Sequence, residues 1–271
     1  MKKTCLLTWL LCMMAAMSYA QDAIPCESFL IDNVKFTMVP VEGGTFQIGH
    51  DERTDDDFPA DGPAHEVTVG NFYIGETLVT QDLWTVVMGN NPSKYNSDGR
   101  LPVESVNVMN CRQFIAKLNE MTGRNFRFLT EEEWEYAARG GKYSRGYKYA
   151  GSNDLDSVAW FYHNSGERTH PVKQKAPNEL GLYDMTGNVW EWTSSGYARY
   201  GKQPRLQPTD GGYRFVYRGG AYYTDERFSP VYHRSHGQIS DATSYIGLRL
   251  AMDFDTLNVD TLNIDTLNIE R

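Results

Sequence analysis

Apolar residues recur at helical spacing in three stretches of this chain, and elsewhere they alternate over short runs broken by glycine, proline and asparagine. After Asn110, Cys111, Phe114, Ile115 and Leu118 fall at i, i+3, i+4 and i+7, with Asn110 as the expected cap, Gln113 three residues on and Gly123 as the stop. Thr130 and Glu133 form a capping-box signature ahead of a stripe of Trp134, Ala137 and Ala138, and Gly140-Gly141 ends that helix. A shorter helix is expected from Thr80 through Leu83, Trp84, Val87 and Met88 to Gly89. From Phe36 to Ile48 the period changes to two, with Val39, Val41, Phe46 and Ile48 on one face. This predicts a hairpin in which Glu42-Gly43-Gly44 make the turn and the glycines supply positive φ. Asp51 to Gly62, with Asp55-Asp56-Asp57 at its centre, reads as a solvated acidic loop.

The N-terminus has a different pattern. Lys2 and Lys3 precede an apolar run from Leu6 to Met17, and Ser18-Tyr19-Ala20 offers small residues for cleavage before Gln21. Residues 1–20 are therefore expected to be a signal peptide, and the protein to be exported to the periplasm, the cell surface or the medium. No later run reaches the ~20 apolar residues that span a bilayer, so no transmembrane segment is expected after cleavage. The formal charge of −9 argues against nucleic acid, whose phosphates need clustered Lys and Arg. Aromatics at 13% and 24 glycines, beside so few helices, point to a Trp- and Tyr-rich core held by turn-rich backbone. Residues 21–26 form an N-terminal segment and 27–253 read as one domain. Residues 254–271 are a tail built on a D-T-L-N repeat, too short to bury a core of its own. Cys26 and Cys111 survive cleavage, and either a disulfide or a buried free thiol at Cys111 is compatible with the pattern.

The most distinctive stretch is Gly181 to Trp192, G-L-Y-D-M-T-G-N-V-W-E-W. It joins an ordered set: V-E-G-G-T-F-Q-I-G, Pro63-Ala64-His65-Glu66-Val67, F-R-F-L-T-E-E-E-W-E-Y-A-A-R-G-G from Phe126, Arg218-Gly219-Gly220-Ala221 and Gly247-Leu248-Arg249. The set resembles the formylglycine-generating enzyme (sulfatase-modifying factor) family. That resemblance implies an α+β protein, the formylglycine-generating-enzyme variant of the C-type-lectin fold, with a twisted antiparallel sheet and a few short helices. Catalytic members bind copper(I) through two cysteines shortly before the closing G-F-R, a task suited to soft thiolates. Here the last cysteine is Cys111 and the corresponding stretch, Tyr222 to His236, holds none, so copper chemistry is not expected. A related iron-dependent branch uses three histidines. His233 and His236 are the nearest match, and they read as polar loop-lining groups.

The family's structural calcium maps onto Asp184 and Glu191 as carboxylate ligands and Gly187 and Val189 as carbonyl ligands, an oxygen set that calcium favours. The competing reading makes Asp184 a turn cap and pairs Glu191 with an arginine such as Arg218. A second family calcium site would fall near Val158 to Gly166, where Asn164 alone offers a side-chain oxygen. Together these features favour an exported, non-catalytic binding or scaffold module at the cell envelope, taking a peptide, a glycan or a partner protein. Aromatics at Tyr143 to Tyr149, Tyr197 to Tyr200 and Tyr213 to Tyr223 are its candidate cleft. The rival readings are a divergent oxidase acting on a sulfatase cysteine and a component of an envelope secretion or motility assembly.

Overall fold

The computed structural model describes residues 24–51, 61–200 and 214–254. The signal-peptide region, Asp55-Asp56-Asp57, Tyr213 and the D-T-L-N repeat lie outside the described residues.

The described residues open with β1 (Glu27–Ile31), β2 (Val34–Val41), β3 (Gly44–Ile48), β4 (His65–Val69) and β5 (Phe72–Gly75). Helices α1 (Gln81–Met88) and α2 (Val108–Thr122), strand β6 (Phe126–Phe128) and helices α3 (Glu131–Ala138) and α4 (Leu155–Val158) follow. Strands β7 (Trp190–Gly196), β8 (Arg214–Arg218), β9 (Arg234–Gln238), β10 (Ile246–Gly247) and β11 (Leu250–Asp253) complete it. They assemble into a five-stranded sheet ordered β1-β2-β5-β11-β6, a four-stranded sheet ordered β10-β7-β8-β9, and a β3-β4 ribbon.

The expected hairpin from Phe36 to Ile48 does not form. β2 pairs with β1 and β5, whereas β3 pairs with β4 in a separate ribbon. Neither Gly43 nor Gly44 has positive φ. Their role is close approach: a Cβ on Gly43 would lie 2.4 Å from the Val69 carbonyl oxygen, and one on Gly44 would lie 2.6 Å from the Tyr136 hydroxyl. Two glycines thus let the backbone cross from one sheet to the next.

Strand alternation divides the five-stranded sheet into two faces. Met38, Tyr73, Leu250 and Met252 face one core with α1 and α2, where Trp84 and Phe114 stack at 4.8 Å. Val39, Val41, Phe72, Ile74 and Ala251 face the other, against Trp134, Ala137 and Ala138 of α3. The apolar stripe of α2 is as expected, but its cap is Asn107 rather than Asn110. The Asn107 side chain accepts the Asn110 N–H at 2.9 Å, and the Asn110 side chain accepts the Asn107 N–H at 3.1 Å. An asparagine at each end of the reciprocal box moves the start of the helix three residues upstream. Cys26 is exposed and Cys111 is buried on α2, and both are free thiols, so the disulfide alternative is not realised.

Replacing Asn107 by Ala is expected to cost about 1 kcal/mol, as lost caps do. Gln113→Ala, on the exposed face of α2, should stay within about 0.5 kcal/mol. Urea denaturation monitored by circular dichroism separates the two.

Candidate functional site

The four-stranded sheet carries two chemistries, one on each face. β8 and β9 pair with Val216 opposite His236, Tyr217 opposite Ser235 and Arg218 opposite Arg234, while Glu191 of β7 lies opposite Arg218. Period-two alternation therefore puts Glu191, Arg218 and Arg234 on the side facing α3, and Trp190, Trp192, Tyr217 and Ser235 on the other.

The first side is a buried ion-pair layer. Glu135 of α3 accepts from Arg139 at 2.7 Å, from the Gly49 N–H at 2.9 Å and from Arg218. Arg218 also donates to the carbonyls of Tyr232 at 2.8 Å and His233 at 2.7 Å. Glu131 accepts from Arg234 Nε at 2.7 Å. Burial alone would pull the Arg218 guanidinium down, but Glu135, Tyr200, Glu131 and Asp61 together hold it protonated. Asp61, at the end of the loop expected to be solvated, belongs to this layer. It is 3% exposed, accepts the Arg234 N–H at 3.1 Å and lies 2.8 Å from His233 Nδ1.

The Gly181 to Trp192 segment closes the same layer. Glu191 accepts from Trp134 Nε1 at 2.7 Å and from Arg249 Nε and Nη2, each at 3.0 Å. Arg249 in turn donates to the carbonyls of Gly75 at 2.9 Å and Tyr183 at 2.7 Å. The partner of Glu191 is thus Arg249, not Arg218. Asp184 accepts the Lys173 N–H at 2.9 Å and the Asn188 side chain at 3.3 Å. Gly187 has φ 80°, and a Cβ there would sit 2.4 Å from the Trp160 carbonyl oxygen, while Val189 is fully buried. Burial raises the Asp184 and Glu191 carboxyls, with Arg249 opposing the shift in both.

The Glu191 carboxylate that the resemblance assigns to calcium accepts from a guanidinium and an indole, the ion pair that the competing reading expects. Among the described residues, no group of three or more His, Cys, Asp or Glu is placed to hold a metal. At the second position Val158 is buried and apolar, and Asn164 staples a turn by accepting the Phe161 N–H at 2.9 Å and donating to Asp156 and to the Ala159 carbonyl. His233 and His236 do not converge either: His236 packs on Tyr197 with ring centroids 3.8 Å apart, whereas His233 meets Asp61.

The opposite face opens into a cleft of about 490 Å³. Trp190, Tyr217 and Ser235 form its floor, Tyr162 and His163 one wall, and Tyr223, Thr224, Asp225 and Phe228 the other. A hydrogen bond from the Tyr162 N–H to the Thr224 carbonyl, 3.0 Å, ties the walls together. Asp225 caps the short turn Glu226–Phe228, and Arg227, donating to it at 2.8 Å, holds its carboxyl below the usual range. Of the described tyrosines proposed for a cleft, only Tyr217 and Tyr223 line it. Tyr143 is exposed and Tyr149 buried, and neither borders the cleft. Tyr197 and Tyr200 cover the Arg234 guanidinium, Tyr200 at 4.1 Å. Sequence reading missed Tyr162, Phe228 and Trp190. Trp190 was recoverable, since it stands two residues from Trp192 on an alternating strand and must share its face.

Behind this wall Tyr222 is pushed up to about 12, chiefly by burial, and meets Tyr95 edge-on. Glu104 lies beside Tyr95, fully buried, accepting the Tyr95 N–H at 2.8 Å and the Ser105 hydroxyl at 2.6 Å. Burial holds the Glu104 carboxyl above its ordinary range, with those hydrogen bonds opposing the shift.

Small, mainly antiparallel sheets, few helices and long loops stapled by buried polar contacts define the formylglycine-generating-enzyme variant of the C-type-lectin fold. Residues 32–254 match the Sulfatase-modifying factor enzyme 1-like domain, and the chain belongs to that family. It is 33% identical over 242 residues to Chaperone protein LppX of Paenibacillus barcinonensis, covering 69% of this chain and 81% of that one. It is 35% identical over 150 residues to the formylglycine-generating enzyme of Streptomyces coelicolor, covering 48% of this chain and 47% of the enzyme, so it matches about half of that enzyme's length. Among solved structures, Treponema denticola variable protein 1 superposes with a TM-score of 0.76 at 30% identity, covering 86% of this chain and 100% of that one. PvdO from Pseudomonas aeruginosa gives a TM-score of 0.70 at 25% identity, with the same coverage of 86% and 100%.

If Arg249 is the cation that Glu191 depends on, Arg249→Met should cost about 3 to 5 kcal/mol by leaving a buried carboxylate uncompensated. Treating the wild-type protein with a calcium chelator should leave its denaturation midpoint unchanged; a drop reversed by added calcium would restore the ion. Glu104 gives a pH test. Its raised carboxyl disfavours the folded state above the folded pKa, and that penalty fades as pH falls toward the unfolded value. Glu104→Gln, which keeps an acceptor for the Tyr95 N–H, should therefore stabilise the protein at neutral pH and lose this advantage near pH ~4. Thermal melts across pH check the sign.

Proposed function

We propose that this protein is an exported, non-catalytic binding module that seats a polypeptide segment of a cell-envelope partner in the aromatic cleft. One observation carries the reading: the wall from Tyr223 to Ser235, where the family resemblance expects the copper-binding thiols, presents aromatic, hydroxyl and carboxylate groups and no cysteine. Copper(I) and oxygen activation need soft thiolates, and phenol, hydroxyl and carboxylate oxygens are poor substitutes. The cysteine nearest in sequence, Cys111, is buried on α2, where burial raises its thiol and keeps it unreactive.

What remains suits recognition. Aromatic groups offer large apolar area at small entropic cost, and Tyr162 and Tyr223 keep 51% and 41% of their surface open to a ligand. A polypeptide occupant is supported by the relative named as a chaperone protein, and loss of chemistry on this frame has a counterpart in the 28% identical Inactive C-alpha-formylglycine-generating enzyme 2 of Bos taurus. Export rests on Lys2, Lys3 and the apolar run to Met17. No helix among the described residues is long and apolar enough to cross a membrane.

A peptide array probed with the wild-type protein and with Tyr223→Ala tests the binding role. Array members should be retained, and their affinity should fall about tenfold in the variant, the range for an interfacial aromatic. An array with no retained member overturns the reading. So does conversion of a cysteine in a sulfatase-derived peptide to an aldehyde, read by mass spectrometry in the presence of copper and reductant.

A further inference from the structure

The outer strands of the five-stranded sheet, β6 and β1, end in different ways. On β6 the Asn119 side chain accepts the Phe126 N–H at 2.7 Å and donates to the Phe126 carbonyl at 2.9 Å, while Arg127 donates to the Phe128 carbonyl at 3.0 Å. On β9, the outer strand of the four-stranded sheet, Asp61 and Asp241 accept the N–H groups of Arg234 and Gln238. Side chains there stand in for a further strand. β1 has no such substitute among the described residues.

The register of the β1-β2 hairpin shows which groups are left over. Ile31 and Val34 flank the two-residue turn Asp32-Asn33, whose φ values of 44° and 68° suit a type I′ turn, so they form a hydrogen-bonded pair. Alternation then directs the backbone groups of Phe29 and Glu27 to β2, and those of Ser28 and Leu30 outward. Thr37, opposite Ser28, fits that parity, since its carbonyl accepts the Glu76 N–H on the β5 side at 2.9 Å. Leu30 is also 68% exposed, although Phe29 and Ile31 beside it pack on the core. An unguarded edge bearing an open leucine is a template for another strand.

We propose that the D-T-L-N tail, residues 255–271, supplies that strand from the same chain. Its point of departure fits: Phe254 stacks on Tyr73 with centroids 4.5 Å apart, and the Tyr73 hydroxyl donates at 3.4 Å to the carbonyl of Pro25, two residues before β1. The route from β11 past β5, β2 and β1 is four strand spacings, ~19 Å, which about six extended residues cover. Leu262-Asn263-Ile264 and Leu267-Asn268-Ile269 remain for pairing. Each repeat sets a Leu and a Val or Ile two residues apart, so in a strand both fall on one face and pack beside Leu30. So short a tether gives the chain's own tail a local concentration that a second copy's tail reaches only in concentrated solution.

Amide hydrogen exchange of the mature chain, read by NMR, tests the proposal. In the wild type the Ser28 and Leu30 amides should exchange about tenfold more slowly than in a variant carrying Leu257→Pro, Asn258→Pro, Leu262→Pro, Asn263→Pro, Leu267→Pro and Asn268→Pro. Phe29 and Ile31, bonded to β2, should stay protected in both. A nitroxide on Cys26, the exposed thiol beside the start of β1, gives a second reading on the wild type alone: it should broaden the Ile264 methyl signals, and equally so on dilution. Equal exchange of Ser28 and Leu30 in the two proteins overturns the proposal, as do sharp Ile264 signals in the labelled wild type. Protection or broadening that disappears on dilution overturns it too, by placing a strand of a second copy on the edge.

Discussion

Arg218 enters the interior with no exposed surface and meets Glu135, which has none either. Much of the remaining architecture is arranged around making that pair tolerable. Two buried charges lose several kcal/mol of hydration each, and their attraction compensates only where the remaining donors and acceptors are also satisfied. Most of them are here: both terminal nitrogens of Arg218 donate to carbonyls of the segment leading into β9, its Nε lies 3.8 Å from Glu131 without a hydrogen bond, and Glu135 takes N–H groups from Arg139 and from Gly49 after β3. A single pair thereby fixes α3, β8, the β3 exit and the chain before β9. Arg234 with Glu131, and Arg249 with Glu191, repeat the device on either side. In a domain whose helices are short and whose loops are long, such cross-links do the positioning that regular secondary structure does elsewhere.

The same strands explain how function coexists with that constraint. Because a strand's side chains alternate, β7 to β9 commit one face to the ionic layer and leave the other free to carry Trp190, Tyr217 and Ser235. Residues on the cleft side therefore bear little of the frame's charge network. Tyr223 and Tyr162 reach the cleft from loops, where substitution disturbs least backbone hydrogen bonding.

The legible parts of the sequence were those in which one physical signal had one meaning. Apolar residues at three- and four-residue spacing, followed by Gly89 or Gly123, located α1 and α2, and both glycines take the left-handed conformation that ends a helix. Gly43-Gly44 carried an ambiguous signal, since glycine serves positive φ and close approach alike, and only the neighbouring Val69 and Tyr136 distinguish them. Glu131 and Glu135 look in sequence like the polar side of an amphipathic helix. They are buried because arginines roughly a hundred positions away, in β8 and β9, arrive to meet them, which no local pattern records. Which arginine meets Glu191 was hidden for the same reason, with Arg249 lying 58 residues downstream. The cleft was half visible: Tyr217 and Tyr223 stood out as aromatics, but their companions depend on which loops meet over the sheet.

This explains why so recognisable a chain says so little about chemistry. The residues that make the resemblance unmistakable, Glu135 on α3 and Arg139 at its end, Glu191 and Trp192 in the central motif, Arg218 and Arg249 near the end, are mostly members of the buried network or its packing. They are constrained because removing one partner strands another charge in the interior, whatever the cleft on the opposite face does. The Tyr222 to His236 stretch holds no cysteine, and it contributes to the network through Arg234 and the carbonyls of Tyr232 and His233. The ion pairs that hold the fold and the residues that line the cleft therefore stand on opposite faces of one small sheet, so the residues that define the family need not be those that line the cleft.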